Sequence, residues 1–156
     1  MKFRGIVCSV VLAVLALSTL ALAADVTAGT WKLNAAKSKY NPPTTQKYDT
    51  VMIEDNGGEI QMTLDGTDAA GQPIHTTWTG KYDGKFYPVT GDATTGERAY
   101  KQVGTHTFVV TGKDKEGKIT THVRIVYSAN GKVRTVTASG TQNGEKFSET
   151  AVYDKQ

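Results

Sequence analysis

Apolar and polar residues alternate along short stretches of this chain. In Glu59–Leu64, Ile60, Met62 and Leu64 share one face while Gln61 and Thr63 take the other. In Ile74–Tyr82, the set Ile74, Thr76, Trp78, Gly80 and Tyr82 opposes His75, Thr77 and Thr79. In Ile119–Tyr127, the set Ile119, Thr121, Val123, Ile125 and Tyr127 opposes Thr120, His122, Arg124 and Val126. A period of two with one apolar face is the signature of a half-buried antiparallel sheet. Turn residues punctuate the stretches at Asn56-Gly57, Asp83-Gly84, Glu116-Gly117, Asn130-Gly131 and Asn143-Gly144. Asn-Gly and Asp-Gly supply the positive φ angles that two-residue hairpins need. The pattern predicts strands near 28–34, 46–55, 59–66, 73–82, 86–89, 97–103, 106–112, 119–128, 132–140 and 146–154. One helical turn fits within Asn34–Tyr40 before Pro42-Pro43 stops it. About ten short strands joined by tight turns predict an all-β domain. The expected form is a single antiparallel up-and-down β-barrel of about 8–10 strands, with a two-sheet sandwich as the fallback.

Residues 1–23 break this pattern. Lys2 and Arg4 precede an apolar run from Ile6 to Leu20, and Ala21-Leu22-Ala23 follows. That order is a secretory signal peptide, with cleavage expected after Ala23. Cys8, the one cysteine of the 156 residues, lies inside it, so the domain at 24–156 is expected to carry no thiol chemistry. Without Lys2 and Arg4 the formal charge falls from +3 to +1, too weak to announce a nucleic-acid partner. Hydrophobic residues make up 38% of the chain but 43 of the 133 residues after Ala23, among which 22 are threonine. Threonine enrichment favours strands over helices. The expected compartment is secreted or periplasmic, with no integral membrane segment after signal cleavage, and a monomer is expected. A membrane-spanning β-barrel needs an apolar outward face, whereas the outward face here is Thr, Lys and His.

The first strand reads Gly29-Thr30-Trp31-Lys32-Leu33 and the last Ala151-Val152-Tyr153-Asp154-Lys155. A Gly-x-Trp opening followed by a meander resembles the lipocalin and fatty-acid-binding (calycin) group. The chain also resembles small secreted bacterial lipocalin-like proteins of unassigned function, which share the Gly-Thr-Trp-Lys-Leu-Asn start and an Ala-Lys-Ser-Lys segment, here Ala36–Lys39. The resemblance implies a barrel around a small apolar ligand, with Trp31 sealing one end. It also implies an inward Arg-x-Tyr on the last strand that grips a carboxylate. Tyr153 is present, but Ala151 stands at the arginine position, so that clamp is not carried over. The helical lid of the fatty-acid-binding family is not carried over either, because Ala35–Thr45 is short and holds two prolines.

Little else in the chain carries chemistry. His75, His106 and His122 lie on separate strands without ligand spacing, so no metal site is expected. Asp65-Gly66-Thr67-Asp68 lacks the ligand order of a calcium loop and reads as a turn. No nucleophile elbow is present, and no catalytic residue or cofactor is expected. Lys113, Lys115 and Lys118 alternate with Asp114 and Glu116, a solvated hairpin tip that needs no nucleic acid. Glu149 shares parity with Phe147, Ala151 and Tyr153, which makes it a buried carboxylate if that face is interior, with Arg98, Arg124 and Arg134 as candidate partners. Aromatic side chains either fill a narrow bore or line an apolar pocket.

Three readings follow. The leading one is an exported, soluble, non-enzymatic barrel that binds a small lipophilic molecule. Its expected ligand-binding residues are Trp78, Tyr82, Phe108, Tyr127 and Tyr153, with Arg124 as the charged member. The second is an envelope interaction or structural module with a filled core, making contacts through Ala35–Gln46 and Gly91–Gly96. The third is an enzyme, a hydrolase or isomerase, centred on His106 with Arg98 or Glu149.

Overall fold

A computed structural model describes residues 25–156. The expected signal peptide at 1–23 and its cleavage point lie outside the described residues. The strands are β1 (Gly29–Leu33), β2 (Lys39–Asn41), β3 (Lys47–Asp55), β4 (Ile60–Thr67), β5 (Pro73–Gly80) and β6 (Asp83–Thr90). They continue as β7 (Glu97–Gly104), β8 (Thr107–Lys113), β9 (Ile119–Tyr127), β10 (Val133–Gln142) and β11 (Glu145–Lys155). Each strand from β3 to β11 pairs antiparallel with the next, and β1 pairs with both β3 and β11. The sheet therefore closes into a ten-strand up-and-down barrel, and β2 is an eleventh, additional strand. A single helical turn at Ala35–Lys37 occupies the place where one was expected.

Two elements differ from the sequence reading. The three residues of β2 are too few to show a period. They form a strand because β1 pairs with β11 only at Tyr153–Lys155, leaving the earlier part of β11 without a partner on that side. β2 supplies it, with Tyr40 opposite Glu149. The second difference is at β5–β6, where the ladder holds only Thr77↔Thr90 and Trp78↔Val89. Toward Asp83-Gly84 the two strands part, and β6 pairs with β7 from Asp83 onward. The Tyr87 ring occupies the gap so closely that a Cβ on Gly80 would sit 2.6 Å from it.

Inward residues on alternate positions build the core as the period predicts. Trp31, Val51, Ile60, Met62, Trp78 and Ile125 are all buried. One half of the bore is filled by a chain of aromatic rings. Trp31 meets Tyr127 at 5.2 Å between centroids, Tyr127 meets Phe108 at 5.7 Å, and Phe108 meets Tyr82 at 4.8 Å. Tyr100 then meets Trp78 at 4.4 Å. The segment before β1 caps this end: Thr27 O accepts from Trp31 Nε1 at 2.9 Å, and Thr27 Oγ1 accepts from Tyr82 Oη at 3.0 Å. Tilted and edge-on contacts suit the ring quadrupoles, and both polar handles are satisfied.

Candidate functional site

The other half of the bore is open. It holds a cavity of about 680 Å³, whose walls come from β3, β4 and β7 to β11. Val51, Leu64, Val110, Ile125 and Val136 give it apolar walls. Its rim is formed by Thr45, Gln46, the 92–95 loop, the β8–β9 tip and the β10–β11 tip. Asn143 and Gly144, at φ 51° and 83°, make that last tip a two-residue turn of the kind Asn-Gly favours.

A buried polar cluster braces one side of the rim. Arg98, on β7, donates from Nη2 to Asp92 Oδ2 at 2.9 Å and to Tyr48 Oη at 3.0 Å. Tyr48 Oη in turn donates to Asp92 Oδ2 at 3.1 Å. The second Asp92 oxygen accepts from the backbone amides of Thr94 and Thr95, each at 2.9 Å. Burial pushes the Asp92 carboxyl up, but Arg98 and the two amides outweigh it and hold it below the usual carboxylate range. Asp92 and Thr95 are both buried and tie the Gly91–Gly96 loop to the rim, while Gly91 and Ala93 are exposed.

Two further charged groups face the cavity from deeper in. Arg134 on β10 is 4% exposed, and its one side-chain hydrogen bond among the described residues runs from Nε to Tyr127 Oη at 3.3 Å. No carboxylate lies within ion-pairing distance of it among the described residues. Its guanidinium lies 5.0 Å from the centre of the Tyr153 ring, the residue directly opposite on β11. Glu149, on the same face of β11, lines the cavity without a hydrogen bond or ion pair among the described residues. Burial outweighs the attraction of Arg98 and Arg134 and pushes its carboxyl up to about 7. Tyr153 donates to the backbone oxygen of Tyr48 at 2.9 Å, which ties β11 to β3 through the interior.

Of the residues expected to bind ligand, Tyr153 lines this cavity. Trp78, Tyr82, Phe108 and Tyr127 belong to the aromatic half instead, where they pack on one another. Arg124 is exposed on the outer face of β9, as its parity with His122 requires. Parity turns Glu149 toward the interior as expected, but none of its candidate partners Arg98, Arg124 and Arg134 lies within ion-pairing distance among the described residues, and Arg124 is on the outer face. Parity did not single out Arg134 as the interior cation, although Arg134, Val136 and Ala138 share one face of β10 and are all buried. An arginine in register with small apolar residues was the available signal. Arg134 stands opposite Tyr153 on the neighbouring strand, and Ala151 lies opposite Val136.

His106 sits in the turn between β7 and β8, at the end opposite the β6–β7 and β8–β9 connections that edge the cavity. It does not join Arg98 or Glu149 around the cavity. His75 pairs with Asp65 on the exterior at 2.6 Å. Among the described residues no group of three or more His, Cys, Asp or Glu could hold a metal ion, and no helix is long and apolar enough to cross a membrane. The closed antiparallel barrel agrees in architecture with the calycin resemblance. No protein-family model matches the chain, and no curated protein matches it.

Proposed function

We propose that this protein binds a small amphipathic molecule inside its barrel, with an anionic group directed at Arg134. One observation carries the reading: a cavity of about 680 Å³ with a buried guanidinium that no carboxylate among the described residues pairs. That volume lies within the range of about 300–1,000 Å³ typical of small-molecule sites. An unpaired buried charge is costly, and a ligand anion would remove the cost by supplying two charge-assisted hydrogen bonds. The walls at Val110, Val136 and Ile125 suit an alkyl or ring body. In this reading the aromatic half of the bore is a floor, and residues 1–23 direct the protein to the periplasm or the exterior. The filled-core alternative accounts for the aromatic half but not for the cavity.

Native mass spectrometry of protein purified from its own compartment tests the reading, alongside titration with alkyl sulfonates. An adduct that dissociates as a small anion is expected. Arg134→Met should weaken octanesulfonate binding at least tenfold, the loss expected of a charge-assisted pair. Equal binding of octanesulfonate to wild type and Arg134→Met would remove the proposal.

A further inference from the structure

Glu149 is the interior group that this reading leaves unexplained. A ligand anion at Arg134 would lie beside a carboxylate, which repels it when ionised. Yet among the described residues Glu149 forms no ion pair with either guanidinium, although Arg98, Arg134 and Glu149 all line the same cavity.

The charges lining the cavity define what it accepts. Arg98 from β7 and Arg134 from β10 bring two positive charges. Asp92 from the 92–95 loop is committed to Arg98. With Glu149 ionised the interior is neutral, and with Glu149 protonated it carries one net positive charge. The other groups facing Glu149 are phenols. Tyr40 is its cross-strand partner on β2, Tyr153 lies two positions along β11, and Tyr48 comes from β3. Burial raises the phenols of Tyr40, Tyr48 and Tyr153, so they stay neutral at physiological pH. Asp49 lies beyond Tyr40. His122, Lys115, Lys118, Asp114 and Glu116 stand at the rim.

We propose that the cavity takes a monoanion together with one proton, and that Glu149 receives the proton. This rests on the anion-binding reading above. The protonated carboxyl turns from acceptor to donor and gives its O–H to an oxygen of the ligand, while Arg134 holds the same group from the other side. No bond in the ligand is made or broken; one proton moves from solvent to Glu149. The ligand class is a monoanionic amphiphile with an oxygen-bearing head, a carboxylate, sulfonate or phosphodiester. Its binding strengthens as pH falls, and its release is favoured as pH rises. The free-protein carboxyl titrates at about 7, and a bound anion would move it higher, so the coupling operates in the neutral range.

The test is calorimetric titration of the full-length protein with octanesulfonate, whose head group stays ionised throughout. Buffers of different ionisation heat count the protons. Affinity should be flat below about pH 6 and fall about tenfold per pH unit above about pH 7, with nearly one proton taken up per ligand at about pH 8.5 and almost none at about pH 5.5. Glu149→Gln, which mimics the protonated acid, should hold the low-pH affinity across the range and take up no proton. Binding without proton uptake in wild type overturns the coupling and leaves the anion site standing. Uptake that persists in Glu149→Gln places the proton elsewhere and also overturns it. Failure of octanesulfonate to bind at any pH, whether or not octanol binds, overturns the anion reading and the coupling together.

Discussion

Replacing Glu149 by Gln should change how stability depends on pH in the empty protein. In the unfolded chain this carboxyl titrates near 4.5, and in the barrel burial raises it to about 7. Below pH 4.5 both states hold the proton and the group contributes no slope. Between the two values the unfolded chain releases its proton while the folded barrel keeps it, so folding becomes less favourable as pH rises. Above about 7 the full cost is present, because the folded state must then hold a desolvated carboxylate. The separation corresponds to roughly 3 kcal/mol. Glu149→Gln removes that slope, because an amide of the same shape does not ionise. Urea unfolding of both proteins at about pH 4 and about pH 8 isolates the effect, since every other carboxylate is common to the pair. With urea slopes of about 1–3 kcal/mol/M, the wild-type midpoint should lose on the order of 1–3 M more than the variant midpoint. Parallel stability curves for the two proteins would refute the reasoning. They would mean that water reaches Glu149 well enough to leave it an ordinary carboxyl.

Asp92→Ala should cost about 3–5 kcal/mol in urea unfolding near neutral pH, because it strands the buried Arg98 guanidinium and frees two backbone amides. Asp92 is held low when folded, so its stabilisation is present above the ordinary carboxylate range and is lost as pH falls through the folded value; the gap between wild type and Asp92→Ala should therefore close in acid. Phe108→Ala should cost about 3–5 kcal/mol by emptying space in the aromatic half, while calorimetry finds octanesulfonate affinity within about twofold of wild type. Arg124→Ala, on the outer face, should change stability by less than about 0.5 kcal/mol and leave the same affinity unchanged.

Much of this molecule is written in local order. The alternation of Ile60, Met62 and Leu64 with Gln61 and Thr63 determines a strand and its buried face, because successive side chains of an extended backbone point to opposite sides. Asn143-Gly144 determines a hairpin, because both residues tolerate positive φ. The same parity turns Glu149 inward and Arg124 outward. Parity says nothing about height along the barrel axis. Tyr127 and Tyr153 both point inward, yet Tyr127 packs against Trp31 and Phe108 while Tyr153 reaches the cavity. Height depends on the registers of ten strands taken together, most of them set hairpin by hairpin and the last by the long-range closure of β1 on β11. The tertiary structure alone therefore decided which aromatics fill the bore and which half stays open. The Asn143-Gly144 turn sets the register of its hairpin and so puts Arg134 opposite Tyr153, but only the closed barrel brings that pair to the cavity. Closure is likewise a tertiary outcome: β1 meets β11 across nearly the whole chain, and the short β2 appears only because that meeting leaves part of β11 unpaired. The closed barrel buries Arg134 and half-buries Glu149 beside the cavity, and among the described residues neither has an ion-pair partner.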